Sequence, residues 1–320
     1  MKYTIGIDIG GTNTKIGLVD HDGNVIAHSH LSTSAYPVFE LYVDALSDEI
    51  MKLVNANKEF PCIGVGIGAP NANYYSGMIE EAVNLLWKGN LPLKKEVEKR
   101  TGLTTFITND ANAAAIGEKL FGAAKGMRDF AMITLGTGVG SGIVVNDEMV
   151  YGHDGFAGEL GHIIIEENGR LCNCGRYGCL ETYASVTGLV NTARQMAENY
   201  AGESILKEVG KEHITGKLIG EAAKNGDKLA KEVFDYTSKK LGLGLANLVA
   251  ITRPEAIILY GGMISAGKEL FVPVEKYMNE FMLHMFKGKV KLLPSQLPGA
   301  DAGIIGAAAL AEEEISKGRK

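Results

Sequence analysis

The sequence predicts an α/β protein whose two halves share one topology. Near the amino terminus, YTIGIDIGGTNTKIGLVD alternates apolar and polar residues on both sides of Gly10-Gly11-Thr12, which is typical of a strand, a glycine turn and a second strand. The stretch DFAMITLGTGVGSGIVVND, residues 129–147, repeats this pattern about 125 residues later. Amphipathic helices and further apolar strands lie between and after the two stretches, so we expect two similar α/β halves.

The first half continues with a regular alternation of elements. The helix over 38–57 follows from Phe39, Val43 and Leu46, which recur at helical spacing. A strand, and not a helix, follows the first glycine turn, which excludes a dinucleotide fingerprint and a Walker loop. The predicted elements are a third strand after Asp22-Gly23, the helix over 38–57, a strand over 63–67, a polar loop over 70–90, a helix near 91–102, a strand over 105–108 and an alanine-rich helix after Asn109-Asp110.

The second half is predicted to be mostly helical before its last strand. The segment from Thr215 to Asp227 is typical of one helix with its stop signal, and a long helix with an apolar face follows over 229–252. Pro254-Glu255 then begins a buried strand over 256–260, which ends at Gly261-Gly262. The final stretch, GADAGIIGAAALAEEEI, predicts a glycine turn and a last helix.

Composition and charge limit the class of protein. The chain has 320 residues and a net charge of −6, which argues against a nucleic-acid binder and against a protein that binds anionic membranes. No apolar run reaches the ~18 residues that a membrane span needs. The strand pattern begins directly after Met1, so we expect no signal peptide and a cytoplasmic location.

Three of the four cysteines lie within CNCGRYGCLE, at Cys172, Cys174 and Cys179. A disulfide is not expected in a reducing cytoplasm, whereas zinc takes four such ligands in a tetrahedron. His162, in GELGH, is the nearest suitable fourth ligand upstream. The sequence therefore predicts a structural Cys3His zinc site, with a redox-sensitive loop that holds no metal as the alternative. Cys62 lies in an apolar strand and is interpreted as a small buried hydrophobic residue.

Six motifs together resemble one family. DIGGTNTKIGLVD, NDANAAAIGE, LGTGVGSGIV, GELGH, CNCGRYGCLE and PEAIILYGG are similar, in this order and along almost the whole chain, to those of the ROK family of sugar kinases and repressors. The resemblance implies the actin-like ATPase fold, with two RNase H-like α/β domains around a cleft. We expect a smaller domain over 1–108, on which the last helix, 303–320, packs back, and a larger domain over 109–302 that carries the zinc site.

The resemblance also implies an activity. Repressors of the family carry a DNA-binding helix-turn-helix before the first glycine loop, and here that loop follows Asp8 directly, so we expect the kinase branch. The expected reaction transfers the γ-phosphoryl group of ATP to a sugar hydroxyl. A hydroxyl is a poor nucleophile at neutral pH, so a carboxylate must accept its proton, and Asp110 matches the family's catalytic base.

The same resemblance assigns the remaining site residues. The expected sugar ligands are Asn84, Asn109, Asp110, Glu159, His162 and Glu181. The expected ATP site comprises Asp8, which would hold Mg2+, then Gly10, Gly11, Thr12, Asn13 and Lys15 on one side of the phosphates, Gly136, Thr137 and Gly138 on the other, and Gly261 and Gly262 under the adenosine. The zinc ligands are expected to fix the segments that carry Glu159 and Glu181.

Several of these residues have a simpler structural interpretation. Asn109 or Asp110 would occupy the cap of the following helix even without a catalytic role. Asp8 would brace the glycine turn, and Lys15 would point outward from a strand. Glu181 would cap a helix, and Glu159 would be a solvated loop residue.

The motifs indicate the family more specifically than they indicate the sugar. The spacing CxCGxxGC resembles that of glucokinases, mannokinases and N-acetylhexosamine kinases, so glucose is the first expectation and mannose, N-acetylglucosamine, N-acetylmannosamine and fructose are the alternatives. The stretch Asn71-Ala72-Asn73 departs from the family's glycine after the proline. Two other classes remain as alternatives, a sugar-sensing regulator without catalysis and a polymerising actin-like ATPase. We expect a homodimer, as in many members of the family.

Overall fold

The computed structural model describes residues 2–82 and 84–319 and divides the chain into two compact units. The first unit consists of the described residues of Met1–Met127, Met149–Ala157 and Gln296–Lys320. The second consists of Arg128–Glu148 and Gly158–Ser295. Within the described ranges, no helix combines the length and apolar composition that crossing a bilayer requires.

The first unit contains a five-stranded sheet in the order β3-β2-β1-β4-β7. β1, β2 and β3 pair antiparallel, and β4 and β7 continue the sheet in parallel with β1. The elements of this unit are β1 (Tyr3–Ile9), β2 (Asn13–Asp20), β3 (Val25–Ser32), α1 (Phe39–Ala56), β4 (Cys62–Gly68), β5 (Ile79–Glu80), β6 (Asn90–Leu91), α2 (Leu93–Thr101), β7 (Thr105–Thr108), α3 (Asp110–Phe121) and the last helix, α10 (Ala302–Ser316).

The second unit contains a five-stranded sheet in the order β10-β9-β8-β11-β12. β8 and β9 form an antiparallel hairpin, and β11 and β12 extend the sheet in parallel with β8. Its elements are β8 (Phe130–Leu135), β9 (Val139–Val145), β10 (Glu148–Met149), α4 (Glu181–Ala184), α5 (Val186–Asn199), α6 (Ile205–Glu208), α7 (Gly216–Lys224), α8 (Lys228–Thr252), β11 (Ala256–Tyr260), α9 (Lys268–Phe281) and β12 (Lys291–Pro294). Short 3-10 turns cover Thr33–Ala35, Leu160–His162, Lys211–His213, Gly262–Ala266 and His284–Phe286.

The two sheets have the same topology. In each, a hairpin supplies the first two strands, a third strand joins its outer edge, and two parallel strands extend its inner edge. The repeated strand and glycine-turn pattern predicted such a relation, and the sheet orders confirm it. This is the α/β architecture of the actin-like ATPase fold.

Helix α10 lies directly on the first sheet because the strands beneath it carry glycine. A Cβ atom on Gly6 would lie 2.0 Å from the Ile304 carbonyl oxygen, and one on Gly66 would lie 1.7 Å from that of Ala307. The helix itself is rich in glycine and alanine, so its backbone approaches the strands closely. Close packing of this kind leaves no space for side chains at these strand positions.

A second apolar layer covers the opposite side of the first core. Phe39, Val43, Leu46 and Ile50 of α1 are buried, as their helical spacing predicted, and Tyr42 is buried with them. Burial of such side chains contributes ~1.5–3 kcal/mol each relative to exposure. Helix α1 therefore contributes strongly to the stability of the first unit.

The second core is built around α8, whose bounds agree with the helix predicted over 229–252. The side chain of Asp227 accepts a hydrogen bond from the Ala230 amide at the amino end. Arg253 adopts a left-handed backbone (φ 48°) at the carboxyl end, directly before Pro254. Gly242 allows the closest approach to α9, since its Cβ would lie 2.7 Å from that of Tyr277.

Two features differ from the sequence-based description. The polar loop over 70–90 contains a short antiparallel ladder, β5–β6, because Ile79 pairs with Leu91 and buries its side chain. The first compact unit also includes residues 109–127, which the sequence suggested as part of the second domain. The expected domain boundary at residue 108 stays a prediction.

Candidate active site

Asp8 lies near the end of the central strand of the first sheet, beside the first glycine turn. The turn is closed by a hydrogen bond from the Gly10 amide to the Asn13 carbonyl at 2.9 Å. Burial raises the pKa of Asp8, and the nearby carboxylate of Asp110 raises it further, whereas Lys15 acts in the opposite direction. Two carboxylates near one glycine turn form a strongly negative site, which suits a divalent cation.

Lys15, Thr12 and Asn13 have exposed side chains on or beside this turn. The Lys15 ammonium donates a hydrogen bond to the Ala300 carbonyl at 3.2 Å. This contact keeps Lys15 near the glycine turn and near the start of α10, where Gly303 lies against Asp8. A Cβ atom on Gly303 would lie 2.4 Å from a carboxylate oxygen of Asp8.

Asn109 and Asp110 stand where β7 gives way to α3. Asn109 is the N-cap, and its Oδ1 accepts a hydrogen bond from the Asn112 amide at 2.7 Å. Asp110 Oδ1 accepts one from the Ala111 amide at 2.9 Å. Within the described ranges, the Asn109 Nδ2 atom has no protein hydrogen-bond acceptor. The cap role therefore occupies only the oxygen of the Asn109 amide.

Burial raises the pKa of the Asp110 carboxyl above the ordinary aspartate value. The outer surface of the residue is open to solvent, but many protein atoms surround the carboxyl, and this desolvation raises its pKa. Backbone N–H groups oppose the shift without cancelling it. A carboxylate with a raised pKa is a better proton acceptor at neutral pH than an ordinary one.

Asn84 is held next to the first glycine turn by a buried anchor. The Trp87 ring packs 4.4 Å from the Tyr42 ring and 5.6 Å from the Phe39 ring, and its Nε1 donates to the Tyr36 carbonyl at 2.8 Å. The Asn84 carbonyl comes so close to Gly11 that a Cβ there would lie 2.4 Å from its oxygen. Asn84 itself is exposed, so its amide is available to a ligand.

The second glycine turn, between β8 and β9, is held by Glu181 and by the start of α5. Glu181 Oε2 accepts a hydrogen bond from the Val139 amide at 2.9 Å, and a Cβ on Gly138 would lie 2.2 Å from the same oxygen. Thr187 Oγ1 donates to the Thr137 carbonyl at 2.8 Å. The turn thus exposes Thr137 while its backbone is fixed from behind.

Gly261 brings a further backbone turn beside β8. It has φ of 108°, a conformation that favours glycine, and its Cβ would lie 2.4 Å from the Leu135 carbonyl oxygen. A Cβ on Gly262 would meet no neighbouring atom within 4 Å, so open space lies beside this residue. Gly261 and Gly262 are therefore close to the Gly136 turn within the second unit.

His162, Cys172, Cys174 and Cys179, here called the Cys3His cluster, converge as the sequence suggested. Their ligand atoms all lie within 4.8 Å of one another. Cys172 Sγ lies 3.6 Å from His162 Nδ1, and Cys174 Sγ lies 3.6 Å from Cys179 Sγ. Tetrahedral zinc with bonds of ~2.3 Å to sulfur separates its ligands by about 3.8 Å. The donor set and its spacing therefore fit a structural zinc ion.

Arg176 supports the Cys3His cluster from the hairpin that carries it. Its guanidinium donates to the His162 carbonyl at 2.9 Å. Hydrogen bonds, first from its backbone amide and then from its side chain, lower the pKa of Cys174 to about 6. A thiolate is the form that binds metal, so Arg176 favours the ligand state of Cys174, whereas burial raises the pKa values of Cys172 and Cys179.

His162 presents its two ring nitrogens to different groups. Nδ1 faces Cys172, while Nε2 lies 3.9 Å from the carboxylate of Glu159. Ser141 of β9 holds the segment that carries Glu159, because its hydroxyl donates to the Gly158 carbonyl and accepts from the Leu160 amide at 3.3 Å. This serine was missed in the sequence, where it reads as an ordinary strand residue.

Known proteins are similar to this chain along almost its whole length. The family model described as "ROK family" matches residues 4–314. The chain belongs to the ROK family. A glucokinase of Thermotoga maritima is 36% identical over 97% of this chain and 98% of its own length. The crystal structure of a ROK glucokinase from Streptomyces griseus, in complex with glucose and AMPPNP, is 38% identical, covers 97% of this chain and 99% of that one, and superposes with a TM-score of 0.80.

The ROK family also contains regulators, and one of them resembles this fold closely. A ROK transcriptional regulator described as a homolog of the E. coli MLC protein has a TM-score of 0.87 at 28% identity. It covers 99% of this chain, but this chain covers 79% of that one. The family assignment made from the motifs is confirmed, and the structural likeness extends to both branches.

Proposed function

We propose that this ROK protein is an ATP-dependent hexose kinase that phosphorylates glucose to glucose 6-phosphate. The observation that carries the proposal is its 38% identity, over nearly the full length of both chains, to a glucokinase crystallised with glucose and an ATP analogue. The local chemistry agrees, since the chain holds a basic aspartate, two glycine turns and a Cys3His cluster. Mannose, fructose and the N-acetylhexosamines are the alternative acceptors.

Asp110 is proposed as the general base. Its raised pKa lies closer to neutral pH than that of an ordinary aspartate, and its Oδ1 accepts a hydrogen bond from the Ala111 amide. The carboxylate accepts the proton of the sugar hydroxyl as that oxygen attacks the γ-phosphorus. Asn109 binds an adjacent hydroxyl through Nδ2, and the exposed amide of Asn84 supplies another sugar contact.

The glycine turns are proposed as phosphate-binding elements. Gly10, Gly11, Thr12, Asn13 and Lys15 serve the first turn, and Gly136, Thr137 and Gly138 serve the second; Gly261 and Gly262 pass under the adenosine. Mg2+ fits the chemistry of Asp8, which would hold it directly or through water and so reduce the negative charge of the phosphates. Backbone N–H groups at such turns bind phosphate oxygens without a conformational change.

Glu159, His162 and Glu181 are proposed as further sugar ligands. Glu181 Oε2 already accepts one hydrogen bond from Val139, and a carboxylate has further acceptor capacity for a hydroxyl. Zinc in the Cys3His cluster would fix the tautomer of His162, with Nδ1 on the metal and Nε2 free for a hydroxyl or for Glu159. With four protein ligands the zinc would be structural, because no coordination position stays open for water.

The test is product analysis with purified protein, ATP, Mg2+ and each hexose in turn. Phosphorus NMR of the product is expected to show a phosphomonoester at the 6-position of glucose, formed faster than any other sugar phosphate. Preferential phosphorylation of another hexose would show that the protein is a hexose kinase with a substrate other than glucose. Absence of every sugar phosphate would refute the proposal.

A sugar-sensing regulator is the second candidate function, and the fold likeness to the ROK regulator favours it. The sensor would bind sugar without ATP turnover. Thermal stabilisation by glucose in protein that forms no sugar phosphate would identify it.

We also propose a cytoplasmic homodimer, without nucleic-acid or membrane partners, which agrees with the net charge of −6. Light scattering that gives a mass near 34.2 kDa would refute the dimer.

A further inference from the structure

Residues 149–157, here called the crossing segment, belong to the first compact unit although the chain on both sides belongs to the second. The segment MVYGHDGFA begins at Met149, the last residue of β10, and leads directly into Gly158 and Glu159. Ala157 closes it as a loop, because its amide donates to the Tyr151 carbonyl at 3.1 Å. The loop contains almost no regular structure, so its position depends on contacts with other residues of the first unit.

Asn73 makes the hydrogen bond that holds the loop at its centre. Its side chain is buried, with 3% exposure, and its Nδ2 donates to the Asp154 carbonyl at 2.7 Å. The other atom, Oδ1, accepts from the Tyr75 amide at 2.9 Å and from the Ser76 amide at 3.2 Å. The side chain therefore uses its oxygen for its own turn and its nitrogen for the crossing segment.

The crossing segment is shaped to receive this amide. Gly155 has φ of 93°, and a Cβ there would lie 2.5–2.9 Å from the side-chain atoms of Asn73. The Tyr151 ring stacks on the Tyr74 ring, with centroids 4.0 Å apart and planes 8° from parallel. A hydrogen bond from Tyr75 to the Gly152 carbonyl, at 3.2 Å, adds a weaker contact at the exposed edge.

The chain then carries this placement into the region proposed to bind sugar. Glu159 lies five residues after Asp154, and His162 three residues further. Gly158 and Leu160, which begin the next part of the second unit, are both hydrogen-bonded to Ser141 of β9. Only Gly155, Phe156 and Ala157 separate Asp154 from Gly158, so a shift of Asp154 is transmitted along this short piece of chain towards Glu159.

We propose that Asn73 is a positioning residue for sugar binding, which acts by holding the crossing segment and thereby Glu159. The proposal rests on the proposed function, in which Glu159 binds the sugar. Asn73 is not proposed as a sugar ligand, because its amide is used by protein partners. The side-chain amide of Asn73, which an aspartate lacks, is thus proposed as a determinant of sugar affinity.

The test compares Asn73→Asp with Asn71→Asp in the full-length protein. In Asn73→Asp the new carboxylate would keep an oxygen for the Tyr75 and Ser76 amides, but it would lose the donor and place a negative charge against the Asp154 carbonyl. Asn71→Asp is the matched control: it removes one amide in the same loop, where Nδ2 donates to the Glu80 carbonyl at 3.0 Å, and leaves the crossing segment untouched. Both variants are measured by hydrogen exchange of residues 151–162 and by steady-state kinetics with glucose and with ATP.

For Asn73→Asp we expect faster exchange over 151–162 and about a tenfold higher KM for glucose, with the KM for ATP within about twofold of wild type. Asn71→Asp is expected to change neither. Unchanged exchange, faster exchange with an unchanged glucose KM, or an equal rise of both KM values would each overturn the proposal, the last because it indicates a general structural loss. Wild-type protein that phosphorylates no hexose refutes the proposed function instead, and the sugar-binding role of Asn73 with it, whatever the exchange data show.

Discussion

Glu181 joins the second glycine turn to the Cys3His cluster through its contact with Cys172. One carboxylate oxygen accepts from the Val139 amide, and the other lies 3.8 Å from Cys172 Sγ. The two residues are nine positions apart, and between them run the turns that bring Cys174 and Cys179 to the same place. A single carboxylate thus fixes the backbone beside Gly138 relative to the cluster.

This contact predicts different effects of alanine at two glycines of the same turn. Gly138→Ala would place a Cβ 2.2 Å from Glu181 Oε2, whereas Gly136→Ala would meet no atom within 4 Å. We expect Gly138→Ala to lower the free energy of unfolding by about 1–3 kcal/mol and Gly136→Ala to change it by less than about 0.5 kcal/mol. Urea unfolding measures both. Equal stability of the two variants would show that Glu181 does not hold the turn.

Asp110→Asn is expected to lower kcat by about 10²–10⁴-fold, because an amide cannot accept the sugar proton. The pKa of Asp110 is raised in the folded protein, so its ionised form destabilises the fold at neutral pH, and this cost disappears as pH falls through the folded-state pKa. The variant should therefore have a Tm at pH 7 at least as high as that of wild type. Calorimetry and ADP release measure the two effects. Substantial remaining activity would exclude Asp110 as the base.

The same shift sets the acid limb of the pH profile. The base must be ionised in the free enzyme, so kcat/KM for the sugar is expected to fall as pH decreases through a pKa above the ordinary aspartate value of about 3.9. Binding of Mg2+ near Asp8 would lower that pKa, so the limb is best measured at several Mg2+ concentrations. A profile flat down to pH 4 would contradict the assignment, provided that the protein stays folded there by circular dichroism.

Zinc content tests the Cys3His cluster directly. Protein purified without chelator is expected to contain about one zinc per chain, and Cys174→Ser to lose it together with several degrees of Tm. Cys62→Ser is the control, because Cys62 lies in β4, outside the cluster, and its variant should retain the metal. Less than about half a zinc per chain in the wild type, measured by mass spectrometry, would leave the cluster as a thiol loop.

Features that depend on local order were predictable from the sequence. The two strand and glycine-turn repeats identified sheets of one topology, because period-two alternation and glycine turns are local signals. The Cys3His cluster was also accessible, since its cysteines lie within eight residues and the histidine only ten before Cys172. The place of Asp110 between β7 and α3 was predictable because strand ends and helix caps are local signals, whereas its catalytic role stays a prediction.

Contacts between distant positions were not predictable in the same way. The bond from Asn73 to Asp154 joins residues 81 positions apart, and that from Val139 to Glu181 joins residues 42 apart. Ser141 looks like an ordinary polar strand residue in the sequence, and only the folded chain shows that it is buried and bonded to Gly158 and Leu160. Such pairs depend on tertiary packing, for which a single sequence carries no periodic signal.

The most direct test of hexose kinase activity is a coupled ADP-release assay with ATP, Mg2+ and a panel of glucose, mannose, fructose and both N-acetylhexosamines. Wild-type protein is expected to release ADP when a hexose is added, fastest with glucose, and to release almost none without sugar. ADP release that is independent of sugar would indicate an ATPase of another kind. No release with any sugar of the panel would contradict the central claim that this ROK protein is a hexose kinase.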